Sequence, residues 1–364
     1  MNCPNLSRLL RSNRSKAAER RSSTSESPSS RSEGLPAQVS PQEYFNLDKA
    51  GFFAYDGTLG LQRETVESDS YAIVTRNADG AYYRSLVNQY STPTFVKATV
   101  NTQDDWLSNR CRLAAGEHRL PQRMRHDPVT GLATSVDSMT DYFALCRSEG
   151  RFTVLSPIDP IWYALRLLGE ENALCAIAED PEFIQMIVED YAVFNENMLR
   201  VIIGKGYHFD TVWVFSDLCY KNGMLFSPEF FRNRIMKSFQ KYVALCHEAG
   251  SKFIFHCDGN IGQLLPLLIE AGVDCIQPLE ARTGNDIRNL IPKYGKQISF
   301  IGNINADILA TTHKKIEEEL LNKMPPAVSS HRYIFHSDHS IPPDISLDNY
   351  TFAVDLARKL GRYA

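Results

Sequence analysis

Six short apolar runs in the second half of the sequence constrain the fold more than any other feature. Each is rich in β-branched or aromatic residues and is apolar at consecutive positions, which is typical of parallel strands covered on both faces. The runs are FTVLS (152–156), TVWVFS (211–216), KFIFH (252–256), VDCIQ (273–277), ISFIG (298–302) and RYIFH (332–336). Because helical patterns lie between the runs and no GxGxxG motif follows a strand, the sequence predicts an α/β fold of the (β/α)8 TIM-type barrel class rather than a doubly wound sheet.

The helical patterns have recognisable ends. Asp180-Pro181 and Ser227-Pro228 are start signals, and Gly204 and Gly250 end the two helices that follow them. Further helices are predicted over 285–294, 312–324 and 347–360. Upstream, residues 70–87 predict a small β-hairpin element before the barrel, because Asp79-Gly80 supplies the positive φ of a tight turn.

The N-terminal residues 1–32 are rich in Ser and Arg and poor in large apolar residues, so we predict a disordered tail. An organelle transit peptide is the alternative for this tail, although acidic residues such as Glu19, Glu26 and Glu33 are unusual in such peptides. Residues 33–364 are predicted to form the barrel domain, with the hairpin of 70–87 as an insertion.

Charge and cysteine content narrow the class of function. The formal net charge of −4 disfavours binding to nucleic acid or to an anionic membrane, because both require a surplus of Lys and Arg. The sequence has eight cysteines and no CxxC pair, which suits reduced thiols in the cytoplasm, or in an organelle if the tail is a transit peptide. The expected partner is therefore a small-molecule substrate, and the oligomeric state is left open, a homodimer included.

Polar residues follow the predicted strands, where the loops of a parallel α/β fold build functional sites. These candidates are Asp159, Asp217, His256, Asp258, Glu280, Asn303, Asn305, Ser337, Asp338 and His339. Asp, Asn and Ser at such positions also cap the next helix, which is the simpler interpretation for each one taken alone. His256 and His339 are poor caps, so they are the stronger candidates.

Four segments resemble the uroporphyrinogen decarboxylase superfamily, which includes tetrapyrrole decarboxylases and methyltransferases that serve corrinoid proteins, folates or thiols. The resemblance runs from about Glu33 to the C-terminus. The segments are SDLCYKNGMLFSPEFF (216–231), HCDGNIGQLLPLLIEAGVDCIQPLE (256–280), IGNI (301–304) and DHSIPPDISLDNY (338–350). The four segments occur in the order that the family shows, and this shared order is more specific than any one segment alone.

The resemblance is closer to the methyltransferase branch, because the Met-Arg-Gln-Ala-Gly-Arg segment with which the decarboxylases hold substrate carboxylates has no counterpart here. It implies methyl transfer between a corrinoid or folate carrier and a small acceptor. A corrinoid protein is then the expected partner. The positions that hold zinc in those methyltransferases are filled here by His256, Asp258 and His339, a plausible set for zinc or another divalent ion.

The remaining candidates take supporting roles under this resemblance. Asp217, Glu280 and Tyr220 are the expected catalytic groups. Substrate binding is expected from Asp159, Asn303, Asn305, Ser337 and Asp338.

Two alternatives stay open. A uroporphyrinogen decarboxylase of haem biosynthesis would need no cofactor, and Asp217 or Tyr220 with His339 would then contact the tetrapyrrole. A non-catalytic ligand-binding barrel is the second, because the first strand of the family's barrel has no clear counterpart before residue 33. Either residues 41–60 supply that strand, the barrel is open on one side, or the natural chain starts elsewhere.

Overall fold

The computed structural model describes residues 41–87, 93–121 and 138–361. The predicted disordered tail, 1–32, lies outside the described residues, as do the first residues of the predicted barrel domain and residues 122–137. The extent of that domain therefore stays a prediction.

Strands and helices alternate through most of the described chain. The strands, β1 to β13 in chain order, are Ala50–Phe53, Glu64–Ser68, Ala72–Arg76, Tyr82–Leu86, Thr94–Lys97, Phe152–Leu155, Thr211–Phe215, Cys219–Tyr220, Gly223–Met224, Lys252–Cys257, Cys275–Pro278, Ser299–Ile301 and Tyr333–Ile334. The α-helices, α1 to α13, are Pro41–Tyr44, Gln103–Asn109, Met139–Ser148, Pro160–Leu168, Glu170–Glu179, Pro181–Gly204, Pro228–Phe230, Met236–Glu248, Leu265–Ala271, Ile287–Tyr294, Ala306–Leu309, His313–Ser329 and Leu347–Leu360. Single turns of 3₁₀-helix lie at Arg110–Arg112, Glu117–Arg119 and Ala281–Thr283, and a π-helical turn at Phe231–Ile235 joins α7 to α8.

All six apolar runs form strands of one sheet, as predicted. Its order is β1-β6-β7-β10-β11-β12-β13, and the pairs β7–β10 and β12–β13 are parallel. Strand β1 lies within residues 41–60, so that part of the chain supplies the first strand of the sheet in the described residues. A parallel sheet of seven strands with intervening helices confirms the α/β class and fits a TIM-type barrel.

The described chain forms two compact units. The central unit contains residues 53–87, 93–121 and 155–277, and the terminal unit contains residues 41–52, 138–154 and 278–361. No described helix is both long enough and apolar enough to cross a membrane.

The predicted hairpin in the central unit is confirmed and is part of a larger sheet. Strands β3 and β4 pair antiparallel, and the order β2-β3-β4-β5 adds one strand on each side. Gly80 has a φ of 79°, and the Asn77 side-chain oxygen accepts from the N–H groups of Asp79 and Ala81 at 3.0 and 2.9 Å. The turn residues therefore fix the register of the hairpin.

Helix α8 covers one face of strand β10. The ring of Phe239 lies edge-on to the rings of Phe253 and Phe255, each 5.7 Å away between centroids, and Tyr242 contacts Phe253 at 6.0 Å. Because side chains alternate along a strand, Ile254 and His256 point to the face that α8 does not cover. This packing determines where the candidate site lies.

Candidate functional site

Two parallel strands of the central unit bring the site together. In the register of β7 and β10, Phe215 pairs with His256, so both side chains point away from α8. The N–H of Ser216 donates to the His256 carbonyl at 3.1 Å, which keeps the strand ends together. Asp217 and Asp258 each follow this pair by two residues. The sheet thus places two carboxylates and one imidazole at the same edge.

The loops that leave these strands run side by side. The Asn260 N–H donates to the Tyr220 carbonyl at 2.9 Å, and the Asp258 N–H donates to Asp217 Oδ1 at 3.3 Å. Gly259 lies between them with a φ of 81°, and a Cβ there would meet Cys219 C, Cys219 O and Tyr220 N at 2.7 to 2.8 Å. Only glycine fits such a close backbone approach, which explains why a glycine follows His256, Cys257 and Asp258.

His256 is oriented by three side chains. Its Nδ1 lies 2.5 Å from Gln277 Oε1, and its Nε2 lies 3.4 Å from Asp217 Oδ1 and 4.0 Å from Asp258 Oδ2. An amide oxygen can only accept, so Nδ1 carries a proton and donates to Gln277. Nε2 faces the two carboxylates, donates to Asp217 when the ring is charged, and offers a lone pair when the ring is neutral. The side chains of His256, Asp217 and Asp258 are 15, 41 and 33% exposed. A group bound between them would therefore be accessible from solvent.

The carboxylates also change the protonation of the imidazole. Burial alone would lower the pKa of His256, because it disfavours the charged ring. The hydrogen bonds to Asp217 and Gln277, together with the negative charges of Asp217 and Asp258, outweigh burial, and the pKa is raised above its ordinary value. Protons therefore compete for the same Nε2 lone pair that a cation would use.

The three residues fit a divalent cation. One ligand atom from each of Asp217, His256 and Asp258 lies within 4.8 Å of the other two. Ligands about 2.1 Å from a tetrahedrally coordinated zinc ion are about 3.4 Å apart, close to the Asp217–His256 separation. Two carboxylates and one imidazole suit zinc and also harder ions such as manganese or iron(II). We name this trio the acidic cluster.

Cys257 offers no thiolate to the acidic cluster. It is 1% exposed, its thiol donates to the Asp258 carbonyl at 3.2 Å, and it also contacts the Cys219 thiol. Burial raises the pKa of the Cys257 thiol well above its ordinary value. The cluster is therefore an oxygen and nitrogen site, although a cysteine separates two of its members in the sequence.

A protein-family profile described as Uroporphyrinogen decarboxylase (URO-D) matches residues 156–360, more than half of the 364 residues. The chain belongs to this family. The matched stretch contains the whole acidic cluster and confirms the resemblance read from the sequence.

Among solved structures, the URO-D chain is similar to a methyltransferase from Methanosarcina mazei. The TM-score is 0.53 and the identity 16%, over 74% of this chain and 72% of that chain, so the likeness shows the fold. No curated protein sequence matches significantly.

Two further candidates belong to the central unit. Asp159 is 2% exposed and caps α4, where its Oδ1 accepts from the N–H groups of Ile161 and Trp162 at 3.0 and 3.1 Å. Burial raises its pKa to about 6. Tyr220, in the short strand β8 that follows Asp217, is 47% exposed. The structure thus gives Asp159 a capping role and leaves the Tyr220 ring accessible.

In the terminal unit, the side chains of Asn303 and Asp338 form hydrogen bonds with backbone groups. Asn303 is 0% exposed, accepts from the Ile287 N–H at 3.0 Å, and donates to the carbonyls of Leu279 and Asn285 at 2.9 and 2.7 Å. Asp338 is 1% exposed, and its two oxygens accept from the N–H groups of Ala306 and Ala281 at 2.8 and 3.0 Å. These bonds hold loops, so a substrate-binding role for either residue stays a prediction.

The other candidates of the terminal unit have mixed roles. Asn305 caps α11, and the Ser337 hydroxyl donates to the His339 carbonyl at 2.6 Å. Glu280 Oε1 lies 3.8 Å from Arg282 Nε, and His339 itself is exposed. Among the described residues, the acidic cluster consists of Asp217, His256 and Asp258. A ligand role for His339 stays a prediction.

Sequence reasoning missed two residues of the site, Gln277 and Phe215. Gln277 is the last residue of the run VDCIQ, and its position at a strand end was the available signal. Phe215 looked like an ordinary apolar strand residue, although it is 42% exposed and contacts the His256 ring.

Proposed function

We propose that this URO-D family member is a metal-dependent methyltransferase in which Asp217, His256 and Asp258 hold a divalent ion, most suitably zinc. The observation that carries the proposal is the acidic cluster, whose three ligand atoms lie within 4.8 Å of one another. Family membership and the fold shared with a methyltransferase support it. The missing arginine-rich segment of the tetrapyrrole decarboxylases favours the same branch.

When bound, such an ion would act as a Lewis acid that lowers the pKa of the methyl acceptor. Gln277 holds the His256 ring so that Nε2 faces the ion, as outer-shell partners of metal-bound histidines do. Asp217 is the most exposed of the three ligands, so its second carboxylate oxygen would be the group that takes a proton from the acceptor. We assign supporting roles to Tyr220 and Glu280, and the methyl group would come from a corrinoid or folate carrier, with a corrinoid protein as partner.

Metal analysis and a methyl-transfer assay together test the proposal. Purified protein should contain about one divalent ion per chain, and His256→Ala should lose it. His247→Ala is the matched control, because His247 also pairs with an aspartate, Asp274, but lies outside the cluster. Methylcobalamin and methyltetrahydrofolate would serve as donors. A chain without metal that transfers methyl groups from neither donor would contradict the proposal.

Uroporphyrinogen decarboxylation is the second candidate, and the exposed carboxylate of Asp217 beside the Phe215 ring favours it. A carboxylate can accept from pyrrole N–H groups while the aromatic ring contacts the pyrrole. Incubation with uroporphyrinogen, followed by chromatography, distinguishes the two reactions. Loss of carboxylates without added metal would support this candidate, whereas unchanged substrate would exclude it. Inactivity in both assays would favour the non-catalytic alternative.

A further inference from the structure

A groove runs between helices α12 and α13 of the terminal unit. Its volume is about 360 Å³, at the small end of the ~300 to 1,000 Å³ that ligand pockets have. One face of α13 lines it, because residues spaced by three and four positions share a helix face. The lining, which we name the α12–α13 groove, includes His313 and Glu317 of α12, and Asp348, Phe352, Asp355, Leu356 and Lys359 of α13.

The middle of the α12–α13 groove is apolar. Phe352 and Leu356 are half-buried, whereas the charged residues on either side of them are exposed. The His313 imidazole lies parallel to the Phe352 ring within 5°, with the centroids 4.2 Å apart, so it covers one face of that ring. An apolar side chain that enters the groove would cover more of Phe352 and Leu356, which is favourable.

The rim of the groove has more negative than positive charge. The carboxylates are those of Glu317, Asp348 and Asp355, and Lys359 supplies one positive charge. Asp348 lies 3.0 Å from His313 Nε2 but is 83% exposed, and Asp355 lies 3.5 Å from an Arg358 nitrogen but is 59% exposed. Glu317 has no ion-pair partner in the described part of the chain. The groove therefore suits a ligand that combines several cations with a few apolar groups.

The N-terminal part of the sequence has this composition. Residues 6–21, LSRLLRSNRSKAAERR, contain six basic residues and one acidic residue, and Leu6, Leu9 and Leu10 are apolar. We name residues 6–21 the basic segment. Arginine pairs with carboxylates through two parallel hydrogen bonds. A segment that is predicted to be disordered on its own can bind where a folded surface supplies the apolar contacts that it lacks.

The described chain begins beside the same helix. The Phe45 ring lies 4.9 Å from the Tyr350 ring, and the Asn46 carbonyl accepts from Arg358 Nη2 at 3.2 Å. Tyr350 and Arg358 both belong to α13, whose 14 residues are about 21 Å long. Residues 22–40 connect the basic segment to this point, and a linker of about 19 residues spans at most ~65 Å. The basic segment can therefore reach the whole groove.

We infer that the basic segment, residues 6–21, docks in the α12–α13 groove of its own chain. Its leucine side chains would contact Phe352 and Leu356, and its basic side chains would pair with the three carboxylates of the rim. The inference does not depend on the proposed function, because the acidic cluster belongs to the central unit.

Limited proteolysis of the full chain with trypsin tests the docking. Cleavage tracks the undocked fraction when docking and release are fast. An affinity of ~0.1 mM, combined with an effective concentration of ~1 mM, would give about ten docked chains for each undocked one. Cleavage after Arg8, Arg11 and Arg14 should therefore be about tenfold slower than in a free peptide of residues 1–32 at the same salt concentration. High salt should remove most of this protection, because it screens the exposed charges.

Variants show whether the groove is the cause. Glu317→Gln combined with Asp355→Asn should bring cleavage to within about twofold of the free peptide. Glu318→Gln is the matched control, because Glu318 is exposed on the same helix but outside the groove, and it should keep the tenfold protection. Leu9→Ser combined with Leu10→Ser should reduce the protection without any change to a described residue, which controls for misfolding of the groove.

Carbodiimide crosslinking locates the docked segment. The reagent joins an amine to a carboxylate as an amide and takes up the water that is lost. Lys16 is the one lysine in residues 1–40 of the sequence. Mass spectrometry of the monomeric product should find Lys16 joined to Glu317, Asp348 or Asp355. A mixture of isotope-labelled and unlabelled chains distinguishes crosslinks within one chain from those between two chains.

Cleavage as fast as in the free peptide would overturn the inference, as would protection that survives in the Glu317→Gln, Asp355→Asn variant. Crosslinks from Lys16 only to carboxylates outside the groove would place the segment elsewhere and overturn it as well. Crosslinks found only between labelled and unlabelled chains would assign the groove to the basic segment of a second copy, which contradicts docking within one chain.

Discussion

Two sets of polar residues at strand ends, one in each compact unit, are used in opposite ways. In the terminal unit, each polar side-chain atom of Asn303 and Asp338 bonds to a backbone N–H or carbonyl. In the central unit, the side chains of His256, Asp217 and Asp258 approach one another and remain partly exposed. The first arrangement stabilises loops, and the second leaves ligand atoms facing one point.

This difference separates structural from functional candidates of the same residue type. A carboxylate that accepts two backbone N–H groups has little capacity left for a ligand. A carboxylate next to another carboxylate and a histidine is costly for folding, unless a cation or proton compensates it. Function is therefore expected where the structure tolerates that cost.

The largest expected effect is that of His256→Ala on activity. It removes Nε2 from the acidic cluster, so metal content should fall to background and methyl transfer by about two to four orders of magnitude. The free energy of unfolding of the metal-free protein should fall by only about 1 kcal/mol, for the lost bond to Gln277. Metal analysis, initial rates and urea denaturation measure the three quantities. A large stability loss with normal specific activity would show that His256 is structural.

Asn303→Ala should show the opposite pattern. It leaves one N–H and two carbonyls without their partners in a fully buried place, so the free energy of unfolding should drop by about 3 to 4 kcal/mol. Asn303 also has a φ of 76°, which Asn tolerates better than Ala. Metal content per folded chain should stay normal. Loss of metal without loss of stability would show that Asn303 is not a structural residue and would contradict the contrast between the two units.

Gly259→Ala tests the close approach of the two loops. Its Cβ would meet backbone atoms at 2.7 to 2.8 Å, so we expect about 3 kcal/mol of destabilisation together with reduced metal affinity. Gly150→Ala is the matched control, because Gly150 has a φ of 66° and nothing within 4 Å of an added Cβ. It should cost about 1 kcal/mol. Equal costs would mean that the loops can separate without penalty.

The smallest expected effect is a pH dependence of the free energy of unfolding, caused by Asp274. This residue belongs neither to the acidic cluster nor to the buried pair Asn303 and Asp338. Burial pushes the pKa of Asp274 up, but the bonds from His247, Lys252 and the Phe253 N–H outweigh it, and its pKa lies below the ordinary 3.8. A lowered pKa stabilises the fold above pH 3.8, and this contribution is lost as the pH falls through the folded-state value.

Asp274→Asn should therefore lower the free energy of unfolding by about 1 kcal/mol at pH 6 and progressively less below pH 4. Denaturant titrations at several pH values measure the difference from the unmodified protein. A difference that is independent of pH would show that the charge contributes nothing.

Much of the fold could be predicted because hydrophobic periodicity is local. The six parallel strands and the helix Leu347–Leu360 were predicted from such patterns. Strand β2, ETVES, was missed because each of its residues is exposed, so it has no buried face to mark it. Helices α4 and α5, which follow each other across Gly169, were not predicted.

The candidate site could be predicted only in part. That Asp159 caps a helix could be read locally, because Pro160 follows it. The role of Asp338 could not, since one of its partners, Ala281, is 57 residues away in the chain. The contribution of Asp217 to the acidic cluster likewise depends on the register of β7 against β10, which periodicity does not determine.

The side-by-side course of residues 217–220 and 257–260 has an evolutionary consequence. Asp258 contacts Asp217, Gly259 contacts Cys219 and Asn260 contacts Tyr220, so the two rows run together with a shift of one residue at Leu218. An insertion in either row would displace the contacts at Gly259 and Asn260 and so disturb the loops that carry the carboxylates. Homologues that retain the acidic cluster should therefore keep both rows at constant length, and changes in one row should be accompanied by compensating changes in the other.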